Sequence, residues 1–123
     1  MKLYYKGKFD AAHRLHDIFL TPEENQQAFG QCGQLHGHSW IVIFEVEGDN
    51  CQNGMLINFT ELKALINTFD HKYINEVVDF LPTAENLAHY FLERLIEKNI
   101  FNSIKVQIWE SDHAYAEDSW RSE

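Results

Sequence analysis

The stretch Cys32-Gly33-Gln34-Leu35-His36-Gly37-His38-Ser39-Trp40-Ile41-Val42-Ile43-Phe44-Glu45-Val46-Glu47 carries both a fold signal and a chemical one. From His36 onward the residues alternate. His36, His38, Trp40, Val42, Phe44 and Val46 fall on one face of a strand, and Ser39, Ile41, Ile43, Glu45 and Glu47 on the other. Two histidines one residue apart on a strand point the same way, with Cβ atoms about 6.6 Å apart. Their imidazoles can lean together onto one cation at about 2.0–2.1 Å. Gly37 between them removes a side chain from the opposite face, which permits another backbone or a ligand to come close.

Residues 2–13 alternate in the same way. Leu3, Tyr5, Gly7, Phe9, Ala11 and His13 share an apolar face, and Lys2, Tyr4, Lys6, Lys8, Asp10 and Ala12 a mostly polar one. This pattern predicts a half-buried antiparallel strand. His13 closes it on the apolar face, so three imidazoles from two strands converge. With three ligands a zinc ion keeps an open position, as catalytic sites do. A closed structural site, with Cys32 as fourth ligand to His13, His36 and His38, uses the same residues and is the alternative. A chain of 123 residues, 45% of them hydrophobic, does not need a metal to fold. Cys32 is the candidate base or nucleophile, because a thiol beside a cation deprotonates more readily.

Residues 14–34, with Pro22, Gly30 and Gly33, show no clean period and read as a long excursion with a short helical turn near Glu23–Ala28. Residues 48–54 are dense in turn formers, and a short strand is expected at Met55–Ile57. Asn58 caps a helix, with Glu61 as a capping-box-like partner and Phe59, Leu62, Leu65, Ile66 and Phe69 at helical spacing. That helix is expected to stop near Asp70-His71. Thr83 caps a second helix over about 84–98, whose stripe is Leu87, Ala88, Phe91, Leu92, Leu95 and Ile96. Residues 103–111 alternate again, with Ile104, Val106, Ile108 and Glu110 on one face, and Ala114–Trp120 suits a last strand. The order strand-strand-helix-helix-strand-strand predicts an α+β fold: an antiparallel four-stranded sheet with two helices on one face, in one domain spanning residues 1–123.

Composition narrows the function classes. A formal net charge of -9 argues against a nucleic-acid partner. No apolar run approaches the roughly 20 residues that span a bilayer. The first residues lack the apolar stretch of a signal peptide, and Cys32 and Cys51 are too few for a disulfide framework. A cytoplasmic setting is therefore expected. Two further features are chemical. Asp70-His71 is expected at a helix end, where the residues by themselves favour an end cap over a carboxylate orienting an imidazole. Glu110 falls on a face expected to be buried, where a carboxylate needs a donor. Two adjacent N–H groups of a guanine-like or pterin ring would supply it.

Taken together, these segments resemble the 6-pyruvoyl-tetrahydropterin synthase family. The resemblance runs through Phe9-Asp10-Ala11-Ala12-His13-Arg14-Leu15, Cys32-Gly33-Gln34-Leu35-His36-Gly37-His38-Ser39, Gly54-Met55-Leu56-Ile57-Asn58-Phe59, Asp70-His71-Lys72-Tyr73-Ile74-Asn75, Pro82-Thr83-Ala84-Glu85-Asn86-Leu87-Ala88 and Trp109-Glu110. It implies the tunnelling fold and a homohexamer, a dimer of trimers with sites at subunit interfaces. One Zn2+ per subunit on His13, His36 and His38 is implied, with Cys32, Asp70, His71 and Glu110 as catalytic residues. Glu110, Thr83, Ala84 and Glu85 are implied to bind a pterin triphosphate. Three residues between Cys32 and His36 resemble the bacterial 6-carboxy-tetrahydropterin synthases of the queuosine pathway more than the pyruvoyl enzymes. The resemblance then implies cleavage of 7,8-dihydroneopterin triphosphate to 6-carboxy-5,6,7,8-tetrahydropterin, acetaldehyde and triphosphate. Asn58 departs from the aspartate common in the family. It keeps the cap and loses the charge.

Overall fold

The computed structural model describes residues 1–123. Strand β1 (Lys2–His13) pairs antiparallel along its whole length with β2 (His36–Glu47). Strand β2 pairs with β4 (Ser103–Trp109), and β4 with β5 (Tyr115–Arg121), all antiparallel. The architecture is the expected α+β sheet with one addition. A two-residue strand β3 (Lys72–Tyr73) runs parallel to β1 at Ala11–Ala12, giving the order β3-β1-β2-β4-β5.

Helices α2 (Phe59–Asn67) and α4 (Ala84–Ile96) cover one face, α2 over β1 and α4 over β4 and β5. The strand residues that alternation assigns to this face are buried: Phe9, Ala11 and His13 on β1, Trp40, Val42, Phe44 and Val46 on β2, and Ile104, Val106 and Ile108 on β4. All of these but His13 join Leu62 and Ile66 of α2 and Leu87, Ala88, Phe91, Leu92 and Leu95 of α4 in a cluster of 21 buried hydrophobic residues. Each large apolar side chain contributes about 1.5–3 kcal/mol on burial. The opposite face carries polar ladders, such as Lys2–Glu45 at 3.2 Å and Lys105–Glu45 at 3.9 Å.

Several local expectations need correction. The excursion after β1 holds a two-turn helix α1 (Pro22–Phe29) and a 3-10 turn (Gly30–Gly33). Thr21 and Glu24 form a full capping box there, and Pro22 suits the first turn. Met55–Ile57 is not a strand. Leu56 and Ile57 plug the core instead, and only Gln52 and Met55 make a bridge. Asn58 caps α2 through Thr60 N, whereas Glu61 reaches Lys98 at 3.3 Å rather than back to the cap. Helix α2 stops at Asn67, so Phe69 enters the core from a turn, and Phe59 lies exposed, stacked on Tyr5. A short helix α3 (Ile74–Val77) follows β3. Helix α4 has Thr83 as its cap, as expected.

Gly48 marks the close approach that ends β2. A Cβ there would lie 2.8 Å from the Ile100 carbonyl oxygen and 2.7 Å from Leu56 Cδ1. Backbone cannot yield as a side chain can. Gly48→Ala is expected to cost about 1–3 kcal/mol in urea unfolding, as overpacked cores do.

Candidate metal centre

The register of β1 against β2 builds the centre. His13 lies opposite His36, and Ala11 opposite His38, so all three imidazoles rise from one end of the same strand pair. Ring centroids are 4.5 Å apart for His13–His36, 5.2 Å for His13–His38 and 4.9 Å for His36–His38. One ring nitrogen from each falls within 4.8 Å of the others. Trp40 forms the floor, edge-on to His13 and His38, with its indole N–H donating to the Ala11 carbonyl at 3.2 Å.

The hydrogen bonds decide which nitrogens are free. His13 Nδ1 donates to the Pro82 carbonyl at 2.8 Å, and His36 Nδ1 donates to the Gln34 carbonyl at 2.7 Å. Each bond fixes the tautomer and leaves Nε2 with its lone pair. Nε2 of His13 and of His38 are buried without a partner. Unpaired buried acceptors are costly, and a cation is the partner that suits both, with His36 Nε2 beside them. Burial pushes the His13 imidazole down to about 4 despite its bond to Pro82, and pushes His38 down as well, against the pull of Glu110. Neutral rings are the form that ligates. The residues therefore fit a divalent metal, held by His13, His36 and His38.

The cluster does not include Cys32. Its thiol is exposed on the 3-10 turn, which is tied to β1's exit by Leu15 N donating to the Cys32 carbonyl at 2.8 Å. The closed four-ligand arrangement is thus not the one this chain adopts. Cys51 is also exposed and free. Strand β4 ends at Trp109, so Glu110 lies just beyond it, half-exposed rather than on a buried face. Its carboxylate stands 4.0 Å from His38 Nε2. It also lines a cleft of about 420 Å3 with Ala84, Glu85 and Tyr115, at the start of α4. Thr83 joins the same region through the adjacent Pro82, which His13 holds.

Asp70 and His71 form a separate pair. Asp70 Oδ2 lies 3.0 Å from His71 Nδ1, and Asp70 Oδ1 accepts from Asp10 N at 3.0 Å. That backbone bond, with His71 beside it, holds the Asp70 carboxyl below its ordinary range. His71 adopts a left-handed φ of 59° while its N–H donates to the Asp10 carbonyl at 2.7 Å. Its ring projects 80% exposed at the β1 edge, into a shallow cleft shared with Gly37 and Ser39. A Cβ at Gly37 would make only ordinary contact, so this chain's own packing does not require glycine there. Glu110 makes no ionic contact with His71 within 4.0 Å.

Pro82, Gln34 and Asn75 have supporting roles that sequence reasoning did not find. Asn75 brackets Arg14, accepting from its N–H at 3.0 Å and donating to its carbonyl at 2.9 Å. Carbonyl groups and long-range amides carry no local sequence signal.

A metal-competent three-histidine centre on a tunnelling-fold sheet defines the class of protein. The family model for 6-pyruvoyl tetrahydropterin synthase matches residues 2–119, and the chain belongs to that family. A Pyrococcus horikoshii protein provisionally named 6-carboxy-5,6,7,8-tetrahydropterin synthase is 31% identical over 147 aligned positions, covering 94% of this chain and 88% of its own. Human 6-pyruvoyl tetrahydrobiopterin synthase is 33% identical over 120 positions, covering 85% and 81%. The solved structure of Caenorhabditis elegans 6-pyruvoyl tetrahydropterin synthase superimposes with a TM-score of 0.77 at 25% identity, covering 100% of this chain and 96% of that one.

Two outcomes follow from the geometry. The purified chain is expected to bind one divalent ion, counted by plasma emission spectroscopy. His36→Ala is expected to weaken binding by more than the roughly 10–100-fold typical of an outer-shell loss. In the metal-free chain, His13 stays neutral when folded down to about 4, whereas the unfolded chain takes up that proton near the ordinary 6.5. The unfolded state then binds more protons, so stability falls as pH drops through this window. Thermal melts after chelation should show that slope, and His13→Gln should flatten it.

Proposed function

We propose that this chain is a zinc-dependent carbon–carbon lyase. In this reading it converts 7,8-dihydroneopterin triphosphate and one water to 6-carboxy-5,6,7,8-tetrahydropterin, acetaldehyde and triphosphate, on the route to queuosine and related 7-deazaguanines. The observation that carries the reading is the juxtaposition of three converging imidazoles with the Glu110 carboxylate 4.0 Å from His38. The archaeal relative's name and the three residues between Cys32 and His36 support the carboxy-type product.

Zinc held by His13, His36 and His38 supplies Lewis acidity at the substrate's side-chain oxygens. Glu110 accepts hydrogen bonds from the amino and ring N–H groups of the pterin, a bidentate match for a carboxylate. Thr83, Ala84 and Glu85 border the ring at the start of α4, where Ala84, Glu85 and Glu110 share one cleft. Cys32 takes the proton from the side-chain carbon as thiolate. His71, oriented by Asp70 at 3.0 Å, moves the second proton.

Asp70 and His71 stand at an open sheet edge, which supports completion of the site by another subunit. Apart from the short β3 contact at Ala11–Ala12, the outer side of β1 has no partner strand, and β5 pairs only with β4. Unpaired edges are templates for strand addition. Joining them chain to chain closes a ring, and two rings make the homohexamer of the proposal, working in the cytoplasm. A second reading, the pyruvoyl-type synthase, is favoured by the similarity to the human enzyme.

Zinc-loaded protein incubated with dihydroneopterin triphosphate should release acetaldehyde, detected by mass analysis. A pyruvoyl product without acetaldehyde would select the second reading. Cys32→Ala is expected to keep its zinc and lose at least 100-fold in turnover, the low end for a lost acid–base group being about 10²-fold. Loss of zinc together with the thiol would sink the role given to Cys32.

A further inference from the structure

A cleft of about 390 Å3 is lined by the residues that directly follow His13 and directly precede His36. Its lining includes Arg14, His16, Gln26, Gly33 and Gln34. Although the chain has 19 acidic residues, none of those that line this cleft is acidic. The neighbouring clefts differ. The one below Pro82 shares Arg14 and His16 with this cleft but adds Asp17 and Asp79, and the one at α4 contains Glu85, Glu110 and Glu117.

Arg14 is the unusual group here. Its Nε is buried without a hydrogen-bond partner, and no carboxylate lies within 4.0 Å of its guanidinium. The other partly buried arginine, Arg94, also has an unpartnered Nε, but its Nη2 is tied to Glu97 at 2.7 Å. Arg14's nearest polar neighbour is His16, whose Nδ1 is 3.4 Å from Nη2. A guanidinium can only donate, so His16 accepts at Nδ1 and carries its proton on Nε2. The pair therefore presents donors alone. Its backbone is fixed on one side by Asn75 and on the other by the Leu15–Cys32 bond. A half-buried cation fixed in place with no counterion, in a chain of net charge -9, marks a place for an anion.

The order of groups along β2 identifies which anion. Glu110 meets His38, His36 follows one strand repeat away, and Gln34, bonded to His36, is part of the cleft. A ligand with N–H donors at one end, hydroxyls in the middle and phosphates at the other matches that sequence. Building on the function proposed above, we infer that Arg14 and His16 form a polyphosphate subsite that holds the triphosphate tail of the substrate, and the same group as it leaves.

The test uses the full-length, zinc-loaded protein. Sodium tripolyphosphate binding is measured by calorimetry on the wild type, Arg14→Gln, Arg14→Lys and His16→Asn. It is repeated after chelation, with metal content checked, so that capture of zinc by the probe is separated from binding in the cleft. Arg14→Gln is expected to weaken tripolyphosphate about 10–100-fold, the usual effect of losing a charged hydrogen bond. Arg14→Lys and His16→Asn should fall between. KM for dihydroneopterin triphosphate should rise in parallel, while the Kd of phosphate-free 7,8-dihydroneopterin stays within twofold. Tripolyphosphate binding with normal KM in Arg14→Gln, no binding by the wild type, or equal weakening of both pterins would overturn the subsite. An absence of turnover alongside Arg14-dependent tripolyphosphate binding would count against the lyase reading and not against the subsite.

Discussion

The pairing of β1 with β2 is the constraint on which everything else rests. It sets His13 opposite His36 and Ala11 opposite His38. A slip of one residue would turn every side chain of one strand to the other face. His36 and His38 would then face outward while His13 remained inside. The register is held by the same alternation that buries Phe9, Trp40, Val42 and Phe44. The apolar core thus holds His13, His36 and His38 in place.

The centre lies where the core meets water, and its chemistry depends on that position. His13 is 1% exposed and kept neutral by burial, whereas His36 and His38 are half-buried and reach outward. The aromatic floor of Trp40 excludes water from below. Acidic, basic and apolar walls then radiate from the three rings: Glu110 beside His38, Arg14 directly after His13, and Trp40 beneath. The chain holds these groups together and places Asp70–His71 apart from them at the sheet border, just before β3. Such a division is natural for a sheet with two unpaired borders.

Much of this was legible in the chain. Period-two alternation gave β1, β2 and β4 with the correct faces, and helical spacing gave α2 and α4. The His13, His36 and His38 cluster follows from strand parity alone once the strands pair. What escaped the reading depends on tertiary contact or on competing local signals. Helix α1 was expected as a helical turn near Glu23–Ala28, and only its full extent, Pro22–Phe29, went unread, because the body behind Thr21-Pro22 is weakly apolar. Met55–Ile57 has strand-like residues, but its apolar side chains are drawn into the core and its backbone does not pair. Strand β3 is too short to show a period. Glu110 continues an alternating pattern whose strand has already ended. The carbonyls of Gln34 and Pro82 are invisible to any side-chain code, although they set the orientation of two ligands.

The hydrogen bond from His13 to Pro82 has a wider effect. Pro82 immediately precedes Thr83, the cap of α4, so the ligand ring and the helix start are joined through one carbonyl. Anything that stiffens the imidazole also stiffens the doorway beside Glu85 and Glu110. Under the function proposed above, a metal on His13 and a ring held at Glu110 would share this one strut, and any coupling through it would act equally in both directions.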